Sequence, residues 1–234
     1  MGSILAVCRV HQLLPDAGTV GITAIDKRPV DGRVRARRFG LYADVQADRA
    51  NHGGHDQAVY AYAEEDAQHW AGELGREVAP GLFGENLRTS GIAVSTAVVG
   101  ERWRVGTAVL EVTQPRTPCA TFQRRMGEDR WVRRFTEANR TGAYLRVAEA
   151  GEVGAGDSID VVHVPRHGVR IADWFAAYRP AARGPEPRDG GRGNSAPAGL
   201  AGLAGRLLAA EAAGDCRLSD EMRGRCEKAV ASAG

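Results

Sequence analysis

The feature that most constrains this chain is the recurrence of short segments rich in Val and aromatics, set between Gly, Pro and Asp. Five of them, Ile4–Val10, Gln57–Tyr62, Ala108–Thr113, Ala143–Ala148 and Ser158–Val164, read as strands. Two helical patterns interrupt them. Around Glu64–Leu74, the residues Ala63, Ala67, Trp70 and Leu74 share one face, and Gly75 stands where a C-cap belongs. In Glu128–Asn139 the face is Trp131, Val132, Phe135 and Ala138. Many short strands with few helices predict a mainly β (α+β) fold, a barrel or a sandwich with peripheral helices. No βαβ alternation supports a dinucleotide-binding sheet, and neither a GxGxxG nor a P-loop motif is present.

Residues 1–165 read as one compact domain. The stretch 180–199 lacks Leu, Ile, Val and aromatics and is built from Gly, Pro, Arg and Ala, which predicts a flexible linker. Helical patterns flank it at Val169–Tyr178, Leu200–Ala213 and Ser219–Ala231, with Ser219 as an N-cap. Residues 166–234 are therefore a helical module, too small for its own core and expected to dock on the main domain or on a partner. Charge is balanced, 31 basic residues against 29 acidic, so no nucleic acid polymer is called for as a partner. No apolar run approaches the roughly 20 residues of a membrane span. The opening Met1-Gly-Ser-Ile-Leu-Ala-Val lacks the basic region and length of a secretory signal, and the expected location is the cytoplasm.

Four cysteines at 8, 119, 216 and 226 have no CxxC spacing, so neither a disulfide framework nor a zinc finger is indicated. Cys119 stands apart. It follows an apolar strand in Gln114-Pro-Arg-Thr-Pro-Cys, where two prolines fix the backbone and Arg116 is a nearby cation that favours thiolate. It is a candidate nucleophile or soft-metal ligand, or else a small core residue at a strand end. Cys8, Cys216 and Cys226 read as packing residues. The densest polar cluster runs from Asp44 to Tyr62. Within it Gly53-Gly54 permits positive φ and an anion-binding nest, flanked by His52 and His55. Three readings stand for this segment: metal ligation by the imidazoles, an anion or cofactor cradle, and a plain polar hairpin loop. Lys27-Arg28 before Pro29 suits phosphate binding or a solvated turn. Glu85 and Asn86, in Gly81-Leu-Phe-Gly-Glu-Asn-Leu, either line a pocket or cap the turn.

Taken together these pieces resemble the MOSC-domain family, in its YiiM-like bacterial branch. The resemblance rests on Ala24-Ile-Asp-Lys-Arg-Pro-Val, Gln46-Ala-Asp, His52-Gly-Gly with Ala58-Val-Tyr-Ala-Tyr, and Phe83-Gly-Glu-Asn-Leu. It continues through Val99-Gly-Glu-Arg-Trp, Gln114-Pro-Arg-Thr-Pro-Cys and Arg140-Thr-Gly-Ala-Tyr-Leu-Arg-Val followed by Gly156-Asp, so that it covers roughly residues 3 to 165. The chain departs from the common pattern at Ala43, where relatives have Gly, at Gln57, where many have Lys, and at Tyr60, where many have His. The resemblance implies a MOSC-type β-barrel that binds the molybdenum cofactor (molybdopterin), with Cys119 ligating molybdenum. It assigns cofactor binding to Lys27, Arg28, Gly53, Gly54, Asn86 and Arg116. The implied activity is reduction of an N-hydroxylated small molecule of hydroxylaminopurine or amidoxime type. Electrons would come from an external reductase, and protons from His52, His55 or Asp44. Two other readings remain: a sulfur carrier or sulfurtransferase using a Cys119 persulfide, and a non-catalytic small-molecule binding module.

Overall fold

The structure is a computed structural model that describes residues 2–48, 53–178 and 199–233. Strands β1 (Gly2–Val10), β2 (Leu14–Pro15), β3 (Ile22–Thr23), β4 (Lys27–Pro29), β5 (Val34–Arg37) and β6 (Gly40–Leu41) come first. Strand β7 (Val59–Ala63), helix α1 (Glu64–Leu74) and strands β8 (Leu87–Ser90), β9 (Arg102–Val105) and β10 (Ala108–Pro115) follow. Then come α2 (Ala120–Met126), α3 (Trp131–Ala138), β11 (Ala143–Glu149), β12 (Gly151–Val153) and β13 (Ser158–His163). The tail holds α4 (Ile171–Tyr178), α5 (Leu200–Ala212) and α6 (Asp220–Ala231). All five expected strands are present to within two residues at either end. The linker reading for 180–199 falls outside the described residues except for Gly199, the N-cap of α5.

Seven strands pair in the order β13-β9-β10-β11-β7-β8-β1, and β1 pairs back with β13 to close a barrel. Closure removes the exposed edges that an open sheet of short strands would leave. Every barrel pairing is antiparallel except β7 with β8, which is parallel and joined through α1. That single crossover is more than the strand count alone predicts. It leaves Ala61 of β7 beside Leu87 of β8. Strand β4 adds to the outside of β1, with Val10 opposite Lys27.

Two cores hold the fold. The barrel interior is filled by Ile4, Val7, Trp103, Val105, Leu110, Val112 and Leu145, all nearly inaccessible. The tail shares this core through Trp174, Ala204, Leu207, Met222 and Cys226. An apolar face that could not stand alone is thus buried against the barrel. Polar contacts fix the docking. Ser219 accepts from the Met222 amide at 3.1 Å, capping α6, and donates to Gln114 Oε1 at 2.6 Å. Gln114 in turn donates to Glu221 at 2.8 Å. The second core is aromatic: Tyr60, Tyr62, Trp70, Phe83, Phe122, Trp131 and Phe135 pack where α1, α2 and α3 cover the barrel.

Helix α2 was not foreseen, although Gly127 is its left-handed C-cap at φ 65° and marks its end in the sequence. It pins the β2–β3 hairpin. Arg124 donates to both carboxylate oxygens of Asp16, at 2.9 and 2.6 Å, and Thr121 adds a third hydrogen bond at 3.0 Å. The Arg124 hydrogen bonds hold the Asp16 carboxyl down to about 2. The Gly81–Asn86 loop is organised by a buried ion pair. Glu85 accepts from the amides of Gly81 (2.7 Å) and Phe83 (3.1 Å) and from Arg88 Nε (3.0 Å). Arg88 also donates to Glu64, Val78 and Ala79, so each charge is fully engaged without water. No helix among the described residues is long and apolar enough to cross a membrane.

Two outcomes are expected. Arg88→Met strands the Glu85 carboxylate and costs about 3–5 kcal/mol in urea denaturation, while the double change with Glu85→Gln recovers part of that loss. The Asp16 carboxyl titrates lower in the folded chain than when unfolded, so its contribution is complete above the ordinary carboxylate range and fades as pH falls from about 4 towards 2. Wild type should outlast Asp16→Asn in thermal unfolding at pH 7, and the difference should close over that interval.

Candidate functional site

A cleft of about 470 Å³ opens between the β2–β3 hairpin, the segment around Asp44, the Gly81–Asn86 loop and the start of α2. Lys27, Asp44, Asn86, Arg116 and Cys119 all line it. The chain positions each by a separate device.

Lys27 and Arg28 are consecutive in a strand, so their side chains point to opposite faces. Lys27 turns inward and is 10% exposed, whereas Arg28 turns out, 55% exposed, to a long 3.4 Å contact with Asp26. The expected role of Arg28 in the cleft is therefore corrected by strand alternation. Behind Lys27 the Gly81 backbone comes so close that a Cβ there would lie 2.3 Å from the Lys27 carbonyl oxygen. Only glycine fits at that approach.

Asp44 joins the parts. It accepts from the Val10 amide at 2.8 Å, from Asn86 Nδ2 at 2.7 Å and from the Lys27 ammonium. Asn86 is itself locked, donating to the Cys8 carbonyl at 3.1 Å and accepting from the Tyr60 amide at 3.1 Å. Its two oxygens are thus engaged by three donors, which fixes Asp44, one of the three groups expected to be able to deliver protons, at the join of these segments. The turn delivering it passes through Ala43 at φ 61°, a left-handed position where glycine would be relaxed.

Cys119 sits at the N-cap of α2 in extended backbone, partly exposed at the wall of the cleft. Arg124 and Tyr144 line the same cleft. The four cysteines are thiols rather than disulfides. The other three are buried, and burial pushes Cys8 up to about 12, Cys216 to about 11 and Cys226 to about 12. Arg116 is 5% exposed and lies over the Phe122 ring, 3.5 Å from its centroid. Its Nη1 is buried with no hydrogen-bond partner among the described residues.

The glycine turn behaves differently from expectation. Gly54, at φ 88°, donates its amide to Gln46 Oε1 at 2.9 Å, and Gln46 donates to the Gln57 carbonyl at 3.0 Å. The amide expected to meet a ligand is thus taken by a side chain, and Gln46 lines the cleft in its place. Gly53, Gly54 and His55 line a neighbouring depression with Ser219, Asp220 and Glu221. The His55 imidazole is held by Arg217 at 3.0 Å and Asp56 at 3.3 Å, away from Cys119. His52 lies outside the described residues. Glu85 is fully buried and caps the loop, which leaves Asn86 as the member of that pair that reaches the cleft. The sequence reading missed Phe83 and Tyr144 as cleft walls, along with Gln46 and the Asp16–Arg124 latch at the rim. Phe83, Gln46 and Tyr144 lie in motifs that carry the family resemblance, which was the available signal, whereas nothing local pairs Asp16 with Arg124.

Known proteins bear on this arrangement. The MOSC domain family model matches residues 48–160. The uncharacterized protein YflK of Bacillus subtilis is 34% identical over 149 residues, which cover 64% of this chain and 67% of that protein. YiiM of Escherichia coli is 33% identical over 144 residues, 60% of this chain and 64% of that one. A protein of Gibberella moniliformis named "Reductase" is 31% identical over 147 residues, 61% of this chain and only 26% of its own length. The crystal structure of YiiM from Geobacillus stearothermophilus shares the fold at TM-score 0.73 and 22% identity, covering 98% of this chain and all of that one. The Escherichia coli YiiM structure does so at 0.69 and 23%, covering 99% and 94%. A closed barrel carrying a Pro-Cys motif at its rim, with a relative matched over two thirds of its length, settles the matter of kinship: the chain belongs to the MOSC-domain family.

Proposed function

We propose that this protein is a molybdenum-cofactor oxidoreductase that reduces N-hydroxylated compounds, with Cys119 as the protein's ligand to the metal. The observation that carries the reading is the convergence, in one cleft, of the partly exposed Cys119 thiol with Lys27, Asn86 and Arg116. The Gibberella relative, named "Reductase" and matched over 26% of its length, adds support for a reductase.

The residues present fit such a group. Among the described residues no cluster of three or more His, Cys, Asp or Glu side chains converges as a metal site. A metal at Cys119 would therefore bring its other ligands with it, as a metal held in a pterin dithiolene does, and a single soft thiolate would complete its shell. The buried, unpartnered Nη1 of Arg116 suits an anionic part of the same group. Lys27 and Asn86, held by Asp44, would offer it fixed donors.

When bound, the cofactor would supply the two-electron chemistry that reductive cleavage of the N–O bond requires. Reduction of N–OH to N–H releases one water and consumes two electrons and two protons. An external reductase is the proposed electron source. The chain's own part is to orient and to exclude water. Phe83 and Tyr144 wall the cleft, and the β2–β3 hairpin covers one side of it. Burial raises the Tyr144 hydroxyl above its ordinary value, so it stays a protonated donor at neutral pH.

Protein purified from a cofactor-competent host should carry about one molybdenum per chain by elemental analysis. Cys119→Ala should lower its reductase activity on an amidoxime by about a hundredfold or more. Full activity in Cys119→Ala would overturn the reading. Molybdenum-free protein with cyanide-releasable sulfur would establish instead the persulfide carrier. Asp44→Asn, which weakens the hold on Lys27, should lower cofactor occupancy while leaving the Cys119 thiol reactive to alkylation.

A further inference from the structure

A second depression of about 470 Å³ shares no lining residue with the Cys119 cleft. Arg38, His55, Arg102, Glu111, Arg146 and Arg217 line it. Three of these form a ladder across adjacent strands: Glu111 of β10 stands opposite Arg102 of β9 and opposite Arg146 of β11. Arg102 Nε donates to Glu111 at 2.7 Å. Arg146, only 5% exposed, lies 3.7 Å from Glu111 and 3.3 Å from Asp56, and donates through Nη2 to the Arg217 carbonyl at 2.8 Å. Its Nη1 is buried and has no hydrogen-bond partner among the described residues. Arg38 and Arg217 have no carboxylate partner among the described residues. Four guanidiniums thus face two carboxylates, Glu111 and Asp56, which leaves two positive charges in excess.

A ladder serving strand pairing alone would need one cation for each carboxylate. Here a buried guanidinium keeps an unused donor, two further guanidiniums reach in from the β5–β6 turn and the α5–α6 connection, and the surplus repels itself. A multivalent oxyanion resolves all three. We propose that this depression is a binding site for a phosphate group, with Arg146 and Arg102 as its rigid floor and Arg38 and Arg217 closing over it. Guanidinium forks match tetrahedral oxyanions in geometry as well as charge. Arg102 and Arg146 stand on the two strands that flank β10, each beside Glu111, so little ordering is needed on their side. The His55 ring, 3.0 Å from Arg217, stands at the edge of the same site. This site is independent of the chemistry at Cys119.

The test is isothermal titration of the whole protein with inorganic pyrophosphate and, separately, with ADP. One-site saturable binding is expected for the wild type, weakening as salt is added. Arg38→Ala/Arg217→Ala should weaken it about tenfold or more, and the Lys pair at the same positions, which keeps the charge but not the fork, should fall between. Both side chains are exposed, and unchanged circular dichroism will verify that the variants are folded. Equal affinity for the two probes identifies phosphate alone as the ligand, and tighter binding of ADP means that the nucleoside is seated as well; either supports the site. Wild-type affinity in the double Ala variant would put the anion elsewhere and overturn the proposal, as would the absence of saturable binding for both probes.

Discussion

One carboxylate ties the cleft together. Asp44 gathers the end of β1 through the Val10 amide, β4 through Lys27, and the Gly81–Asn86 loop through Asn86. These three segments have no common secondary structure at that point. Their relative positions depend on hydrogen bonds to two oxygen atoms in a half-buried setting, where such bonds are stronger than in water. Residues far apart in the chain therefore present fixed donors to one space.

Support for this arrangement comes from behind. Glu85 and Arg88 neutralise each other inside the molecule and hold the loop that carries Asn86. On the opposite wall, Gln114 links the motif leading to Cys119 with Ser219 and Glu221 of the tail. The tail is thus more than a cover for an apolar face. It braces the strand that ends at Pro115, just before the stiff Arg116–Cys119 segment. Loops are expected to carry function when a rigid scaffold positions them, and here the scaffold includes the C-terminal helices.

Charge is distributed in two separate ways on this barrel. In the cleft, cations are few and mostly spoken for: Lys27 by Asp44 and Arg124 by Asp16. In the second depression the guanidiniums outnumber the carboxylates. A chain whose overall charge is only +2 can therefore hold two sites of quite different electrostatic character. Net charge speaks to neither.

Much of the fold was legible in the residues. Alternating Val-rich runs and Gly or Pro punctuation act locally, so five of the barrel's seven strands, the helices other than α2, the Ser219 cap and the unusual setting of Cys119 could be read directly. The parting of Lys27 and Arg28 was not read from the sequence, because β4 was not among the expected strands and only its pairing with β1 sets the two side chains on opposite faces. What spacing could not decide was which loops share a cavity. The Gly53-Gly54 turn looks like an anion cradle in isolation, yet Gln46, eight residues before Gly54, takes the Gly54 amide, and the glycines line a different surface. His55 is likewise claimed by Arg217, 162 residues away in the chain. Barrel closure brings such distant groups within hydrogen-bonding range, and that meeting is a property of the assembled tertiary structure, because no local conformational preference encodes it.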